Sequence, residues 1–290
     1  MTASPTVAAA LAEAVPQLQA AAVPQPRLEV RLLLSHATRL SAEAIIGHPE
    51  RALDADEAAS FAALLARRRR REPLAQILGR REFWSLSFKV TRDTLSPRPE
   101  SETLVEAALA GIPDRGAPLA VLDLGAGTGC LLLALLSELP RARGIAVERS
   151  LAACRVAHEN AEALGLAERS HFIVGDWGEA IAARFDLVVA NPPYIPAALI
   201  EGLEPEIARF EPRLALSGGA DGLESYRALA VALPRLLAPA GRAVIELGQG
   251  QGDAVTGIFA ESGLQPLGRR LDLAGIERCL IMAPSPLANH

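Results

Sequence analysis

The 290 residues are half apolar and carry a formal net charge of −5. That is room for one large domain and a small one, and the acidic balance disfavours broad nucleic-acid binding. No apolar stretch reaches the roughly 18 residues of a membrane span, and no basic region precedes an apolar block at the N-terminus, so we expect neither membrane insertion nor a secretion signal. Three cysteines, Cys130, Cys154 and Cys279, lie inside apolar runs and read as reduced thiols of a cytoplasmic protein. The five histidines are scattered and there is no Cys-x-x-Cys pair, so no metal site is expected.

Residues 1 to about 72 read as helical. Alanine and leucine recur at helical spacing, prolines separate the segments, and Ser41 followed by Glu43 marks a helix start. The run Arg67–Arg71 could serve nucleic acid. However, Lys89 is the chain's only lysine, so arginine carries nearly all the basic charge, and a solvated helix end is the expected reading. Residues 73–105 form a linker. Glu82–Val90 alternates and is aromatic, as short strands are, and Ser96-Pro97-Arg98-Pro99-Glu100 breaks the strand and opens a helix.

From about residue 118 strands and helices alternate. Leu119–Leu124, Gly144–Val147, His171–Val174, Phe185–Ala190 and Arg242–Leu247 are short apolar runs, mostly separated by helical stretches, and residues 276–282 add a last strand. This pattern predicts a mostly parallel sheet covered on both faces.

Four segments carry chemistry. The strand that carries Asp123 and ends at Leu124 runs into Gly125-Ala126-Gly127-Thr128-Gly129 and then a helix. Such glycines allow a sharp turn and close approach of a ligand. Glu148 follows about twenty residues later, the distance at which an acid meets ribose hydroxyls; capping of the helix from Ser150 is the plainer alternative. Asp176-Trp177, after the third strand, suit an adenine ring, although Trp177 could equally be core. Asn191-Pro192-Pro193-Tyr194 follows the fourth strand. The prolines either simply stop the strand or hold Asn191 rigid at the sheet edge, where open α/β sheets bind ligands. An Asn oxygen, the Pro192 carbonyl and the flat Tyr194 ring match a planar NH2 group.

At this point the sequence resembles a known family. Asn191-Pro192-Pro193-Tyr194 is similar to the motif of methyltransferases acting on planar nitrogens, and Gly125–Gly129 resembles their cofactor loop. Glu82-Phe83-Trp84, Ser96–Glu100, Asn191–Tyr194, Glu211–Leu216 and Gly219–Leu223 occur in the order seen in release-factor glutamine-N5 methyltransferases of the PrmC (HemK) type. Ser101, Glu148 and Ser217 stand where that family often has Thr, Asp and an acid. The resemblance implies a Rossmann-like class I methyltransferase domain (106–290) with a seven-stranded, mostly parallel sheet. A small all-helical substrate-recognition domain (1–72) would join it through a β-hairpin linker (73–105).

The implied cofactor is S-adenosyl-L-methionine, leaving as S-adenosyl-L-homocysteine. Gly125, Ala126, Gly127, Thr128, Gly129, Glu148, Trp177 and Asn191 would bind it. The implied substrate is the glutamine of a Gly-Gly-Gln loop in peptide chain release factors. Asn191, Pro192, Pro193 and Tyr194 would hold that amide, with Asn191, Pro192 and Tyr194 catalytic. No stable nucleic-acid partner, no membrane partner and a monomer are expected. The rival readings are a nucleic-acid adenine-N6 methyltransferase, which also uses Asn-Pro-Pro-Tyr but must flip a base, and a non-catalytic cofactor-binding assembly module.

Overall fold

Capped helices open the chain, as their sequence signals require. In the computed structural model, which describes residues 4–285, the chain divides into two units. One runs to Gly79 and also takes in Glu204–Phe210; the other holds Arg80–Leu203 and the chain from Glu211.

The first unit contains α1 (Val7–Ala20), α2 (Pro26–Thr38), α3 (Ala42–Gly47), α4 (Ala55–Arg69) and α5 (Leu74–Leu78). The side chains of Thr6 and Ser41 cap α1 and α3, and Asp54 and Glu57 form a reciprocal capping box on α4. Val7, Leu18, Leu33, Leu34, Ile45 and Phe61 make its core.

The arginine run corrects the expectation of a solvated helix end. Arg68 is buried and donates to Glu29 and to Glu206 (2.8 Å), Arg71 donates to both Glu206 oxygens, and Arg67 pairs with Glu72. Only Arg69 and Arg70 point to solvent. Glu206 comes from a short helix, α9 (Pro205–Phe210), far along the chain, and Gln76 Nε2 donates to the Phe210 carbonyl (3.2 Å). The run is therefore largely an internal ion-pair hub, neither a free basic patch nor a simple helix end.

The second unit begins with the hairpin β1 (Arg80–Phe83) and β2 (Leu86–Lys89). Its two turn residues, Trp84 and Ser85, both have positive φ (53° and 57°), the conformation that matches strand twist but is costly for an indole side chain. Trp84 is pinned there: its backbone N donates to Glu102 (2.7 Å) and its indole Nε1 to Glu138 (2.9 Å). The sequence places Leu74–Leu78 in the linker; in the structure it is the last helix of the first unit.

Then come α6 (Glu102–Ala110), β3 (Ala120–Leu124), α7 (Cys130–Glu138), β4 (Arg143–Glu148), α8 (Leu151–Ala163), β5 (Ser170–Val174) and β6 (Phe185–Ala190). After α9 follow α10 (Arg213–Leu216), α11 (Glu224–Leu236), β7 (Leu237–Glu246), α12 (Gly252–Glu261), β8 (Leu264–Leu271) and β9 (Glu277–Pro284). The seven-stranded sheet has the order β5-β4-β3-β6-β7-β9-β8. β5 to β7 are parallel, while β9 runs antiparallel to both β7 and β8.

Even the continuous apolar strands sort by face. Val121, Leu187 and Val189 join Leu104, Leu132 and Leu133 on one side; Leu122, Val188 and Ala190 join Tyr226, Leu229 and Phe259 on the other. β4 and β6 flank β3 on opposite sides. This is the topological switch point at which the carboxyl ends of parallel strands open a crevice.

Candidate functional site

A cavity of about 540 Å³ lies at that switch point, within the size range of small-molecule sites. Gly125, Ala126, Gly127 and Thr128 from the β3 turn line it, with Glu148 from β4, Trp177 from the loop after β5, and Asn191 and Pro193 after β6. Residues 92–98 and the segment around Pro212, Ala215 and Ser217 close its other side.

The glycine turn is held by backbone. Gly125 N and Ala126 N both donate to the Val147 carbonyl (2.9 and 3.1 Å). Gly127 N donates to Glu148 Oε2 and Ser150 N to Glu148 Oε1, each at 2.8 Å. Glu148 thus unites two readings: it steadies the start of α8 and also stands on the cavity wall, where its oxygens have lone pairs to spare.

Gly127 and Gly129 both have positive φ (55° and 78°) but different surroundings. A Cβ at Gly127 would meet nothing within 4 Å, so that position is open. One at Gly129 would press on Ala157 Cβ and Phe172 (both 3.2 Å) and Leu133 (3.3 Å). Gly129 is absent from the cavity wall; its part is to let α7 start against α8 and β5.

Behind the turn, Asp123 is fully buried. One oxygen accepts from Leu132 N (3.3 Å), and among the described residues the other has no partner. Burial, the dominant influence, pushes its pKa up to about 7. Trp177 is half-buried with φ +44°, packs partly on the core and lines the cavity. Its ring edge lies 3.8 Å from where a Gly125 Cβ would stand. An aromatic residue held in the left-handed region is a strained feature of the kind that collects at ligand sites.

On the other side of β3, Asn191 is wired to buried groups. Its Nδ2 donates to Ser101 Oγ (3.2 Å), and Ser101 Oγ donates to Glu246 Oε2 (2.6 Å). The Tyr194 hydroxyl donates to the other Glu246 oxygen (3.3 Å). Glu246 is fully buried, and burial pushes its pKa up to about 7 against the opposing pull of Ser101, Arg278 and Tyr194. Pro192 is buried, and neither it nor Tyr194 is part of the cavity wall. Tyr194 instead stands behind the turn, its carbonyl accepting from Gln251 Nε2 (3.1 Å). Ile195 pairs with Leu216 and Gly218 through backbone hydrogen bonds, which fixes the exit of the turn.

Sequence reasoning missed Ser101 and Glu246 as partners of Asn191. The signal was present: a lone acid at the end of Ala-Val-Ile-Glu-Leu is placed as Asp123 and Glu148 are, and a buried acid needs a reason. It also missed Glu211, buried and accepting from Ser96 N (3.2 Å) and Arg98 (3.4 Å). Among the described residues there is no cluster able to hold a metal ion and no helix long and apolar enough to cross a membrane.

The same pattern appears in known proteins. Residues 9–79 match the family model of the PrmC N-terminal domain, and residues 105–200 that of the methyltransferase small domain. A release factor glutamine methyltransferase of Rhodospirillum rubrum is 50% identical over 265 residues, covering 91% of this chain and 81% of that one. The namesake from Cereibacter sphaeroides is 47% identical, covering 96% of this chain and 98% of that one. Among solved structures, a methyltransferase from Pyrococcus furiosus shares the fold at a TM-score of 0.51 and 14% identity, covering 68% of this chain and 88% of that one.

Proposed function

The chain belongs to the release factor glutamine methyltransferase family, and from that premise we propose that it transfers a methyl group from S-adenosylmethionine to the side-chain N5 of the glutamine in the Gly-Gly-Gln loop of peptide chain release factors. The observation that carries the proposal is the pairing, across one cavity, of a nucleoside-type half with a planar-nitrogen half: Gly127, Glu148 and Trp177 on one side, Asn191 and Pro193 on the other.

The residues fit the cofactor. The position beside Gly127 is free of side chains, the Glu148 carboxylate suits ribose hydroxyls, and Trp177 offers an aromatic face to an adenine. The bound cofactor supplies a methyl group already activated on a sulfonium.

The protein's task is orientation, because an amide nitrogen shares its lone pair with its carbonyl and attacks poorly. Asn191 Oδ1 and the Pro192 backbone carbonyl accept the two amide hydrogens and stabilise positive charge as it grows on nitrogen. As the bond from the methyl to N5 forms and its bond to the sulfonium sulfur breaks, one of the two amide hydrogens leaves as a proton to water, so the neutral N5-methyl amide and S-adenosylhomocysteine result. Tyr194 keeps the turn in the plane this requires, acting from behind through Glu246. The helical unit up to Gly79 recruits the release factor, and the reaction belongs to the cytoplasm, where translation terminates.

Transfer of tritiated methyl, with release factor and adenine-containing DNA offered side by side and the labelled peptide mapped, tests the reading. Label on the loop glutamine is expected; label on DNA, or none on the factor, overturns it.

A further inference from the structure

We propose that Ser101 and Glu246 are positioning residues for the methyl transfer. The chain Asn191 Nδ2–Ser101 Oγ–Glu246 Oε2 sets which way the Asn191 amide faces, and the charge on Glu246 decides whether that setting holds. The proposal rests on the reading of Asn191 as the amide acceptor.

Ser101 Oγ has one hydrogen and two lone pairs. An ionised Glu246 can only accept, so Ser101 must give it that hydrogen across 2.6 Å. Ser101 can then only accept from Asn191, which must present Nδ2, as it does at 3.2 Å. Oδ1 is thereby committed to the opposite direction, where no donor among the described residues engages it. Asn191 lines the cavity, and an acceptor left free there is what an incoming NH2 group needs.

Protonation reverses the order. A neutral Glu246 donates to Ser101, whose own hydrogen is then free to point at Asn191. It finds an acceptor there only if the amide turns over and offers Oδ1. The two amide orientations have nearly the same shape, so sterics do not resist the turn. The overturned amide presents N–H donors to a substrate that is itself a donor, and the clamp is lost.

The surroundings leave Glu246 as the group that titrates. Tyr194 and Tyr226 face it, as do Cys130 from α7 and Cys279 from β9, and burial raises the pKa of all four; they stay neutral. Arg278 favours the anion but is shared with Asp272 (2.8 Å), and Glu100 opposes the anion. Burial dominates, holding the Glu246 pKa at about 7. Activity should therefore rise as pH passes upward through about 7.

Two measurements test this. In the free protein, the side-chain amide resonance of Asn191, assigned by its loss in Asn191→Ala, should titrate with a midpoint near pH 7 and should stop titrating in Glu246→Gln. This readout needs no substrate. If wild-type protein failed to methylate release factor, the functional reading would fall while the resonance still decided the relay.

In the transfer assay, Ser101→Ala should lower kcat by about tenfold, the scale of one lost orienting hydrogen bond, with cofactor affinity and the KM for release factor unchanged. Ser101→Thr, which keeps the hydroxyl, should restore kcat. Glu246→Gln should level the pH profile. A resonance that ignores pH, a Ser101→Ala enzyme as fast as wild type, or a pH step that survives in Glu246→Gln and so belongs to Asp123, would each overturn the proposal. Should Glu246→Gln fail to fold, the wild-type titration and the Ser101 pair still decide.

Discussion

On the β3–β4 side, the cavity wall is made by backbone: amides of Gly125, Ala126 and Gly127 tied to Val147 and Glu148. On the β6–β7 side the wall residues Asn191 and Ser101 are backed by side chains in series, Asn191 to Ser101 to the buried Glu246, with Tyr194 on the far carboxylate oxygen behind the wall. On the proposed function, the difference follows from what each side has to do. A nucleoside needs a shaped surface and a few fixed donors and acceptors, which main chain supplies at little entropic cost. A nitrogen that gains positive charge during reaction needs an acceptor whose orientation is enforced, and enforcement through side chains requires burying a carboxylate. Substitutions on the two sides should accordingly fail in different ways.

The largest effect is expected at Asn191. If, as proposed, its oxygen acts chiefly on the transition state, Asn191→Ala should lower kcat by about a hundredfold or more, the scale of losing one preorganised charge-stabilising partner. Cofactor affinity should change far less. Steady-state kinetics beside calorimetry separate the two. An Asn191→Ala enzyme with normal kcat and lost cofactor binding would move Asn191 to the nucleoside side and dissolve the comparison.

Next is Glu148. In the proposed role, charge-assisted contacts from its carboxylate to ribose hydroxyls would be worth roughly 1.5–3 kcal/mol, so Glu148→Ala should weaken S-adenosylmethionine binding at least about tenfold. Because Glu148 also holds Gly127 N and Ser150 N, Glu148→Gln is the cleaner probe: one oxygen still accepts. Affinity unchanged in both variants would take Glu148 out of the site and leave it a loop brace.

Two of the three glycines of the turn, Gly127 and Gly129, sharpen the comparison within its backbone half. Each has positive φ, so alanine at either costs about 1–2 kcal/mol of backbone strain. Gly129→Ala adds overpacking against Ala157, Phe172 and Leu133, typically about 1–3 kcal/mol, and should show the larger loss of melting temperature. Gly127→Ala points its methyl into open space beside the ligand and should show the larger loss of cofactor affinity. Equal behaviour of the two would mean that the turn acts as one rigid piece.

The glycine-turn side of the cavity was easier to read from the sequence than the Asn191 side. The glycine spacing and an acid at the right distance are local signals, and apolar runs bounded by helices announced most of the sheet. β8 escaped notice because it is an edge strand: Leu264 is its only buried residue, and Pro266, Gly268 and two arginines break the pattern. The relay behind Asn191 escaped because its members lie far apart in sequence and meet only where α6, β6 and β7 converge. The arginine run misled because charge read along a helix says nothing about a glutamate that returns from α9.

The smallest effect expected concerns stability, and it runs opposite to activity. An unfolded glutamate titrates near 4.5, whereas folded Glu246 titrates at about 7. Between those values the folded state holds a proton that the unfolded state has released. The stability this contributes is fully present below the unfolded value and is lost as pH rises through the folded one. Asp123, raised from 3.8 to about 7 by the same burial, works in the same direction. The protein should therefore melt lower at pH 8 than at pH 5 by these two groups, each kcal/mol shifting the midpoint by about 2–4 °C. Glutamine at 246 has no proton to lose and cannot be charged, so Glu246→Gln should melt at or above wild type at pH 8 and close to it at pH 5, even as its turnover falls. Thermal melts of both proteins across that range measure the difference. A variant less stable than wild type at pH 8 would show that the ionised carboxylate stabilises the fold through Arg278 and Ser101, and that the amide half of the cavity is not held at the expense of stability.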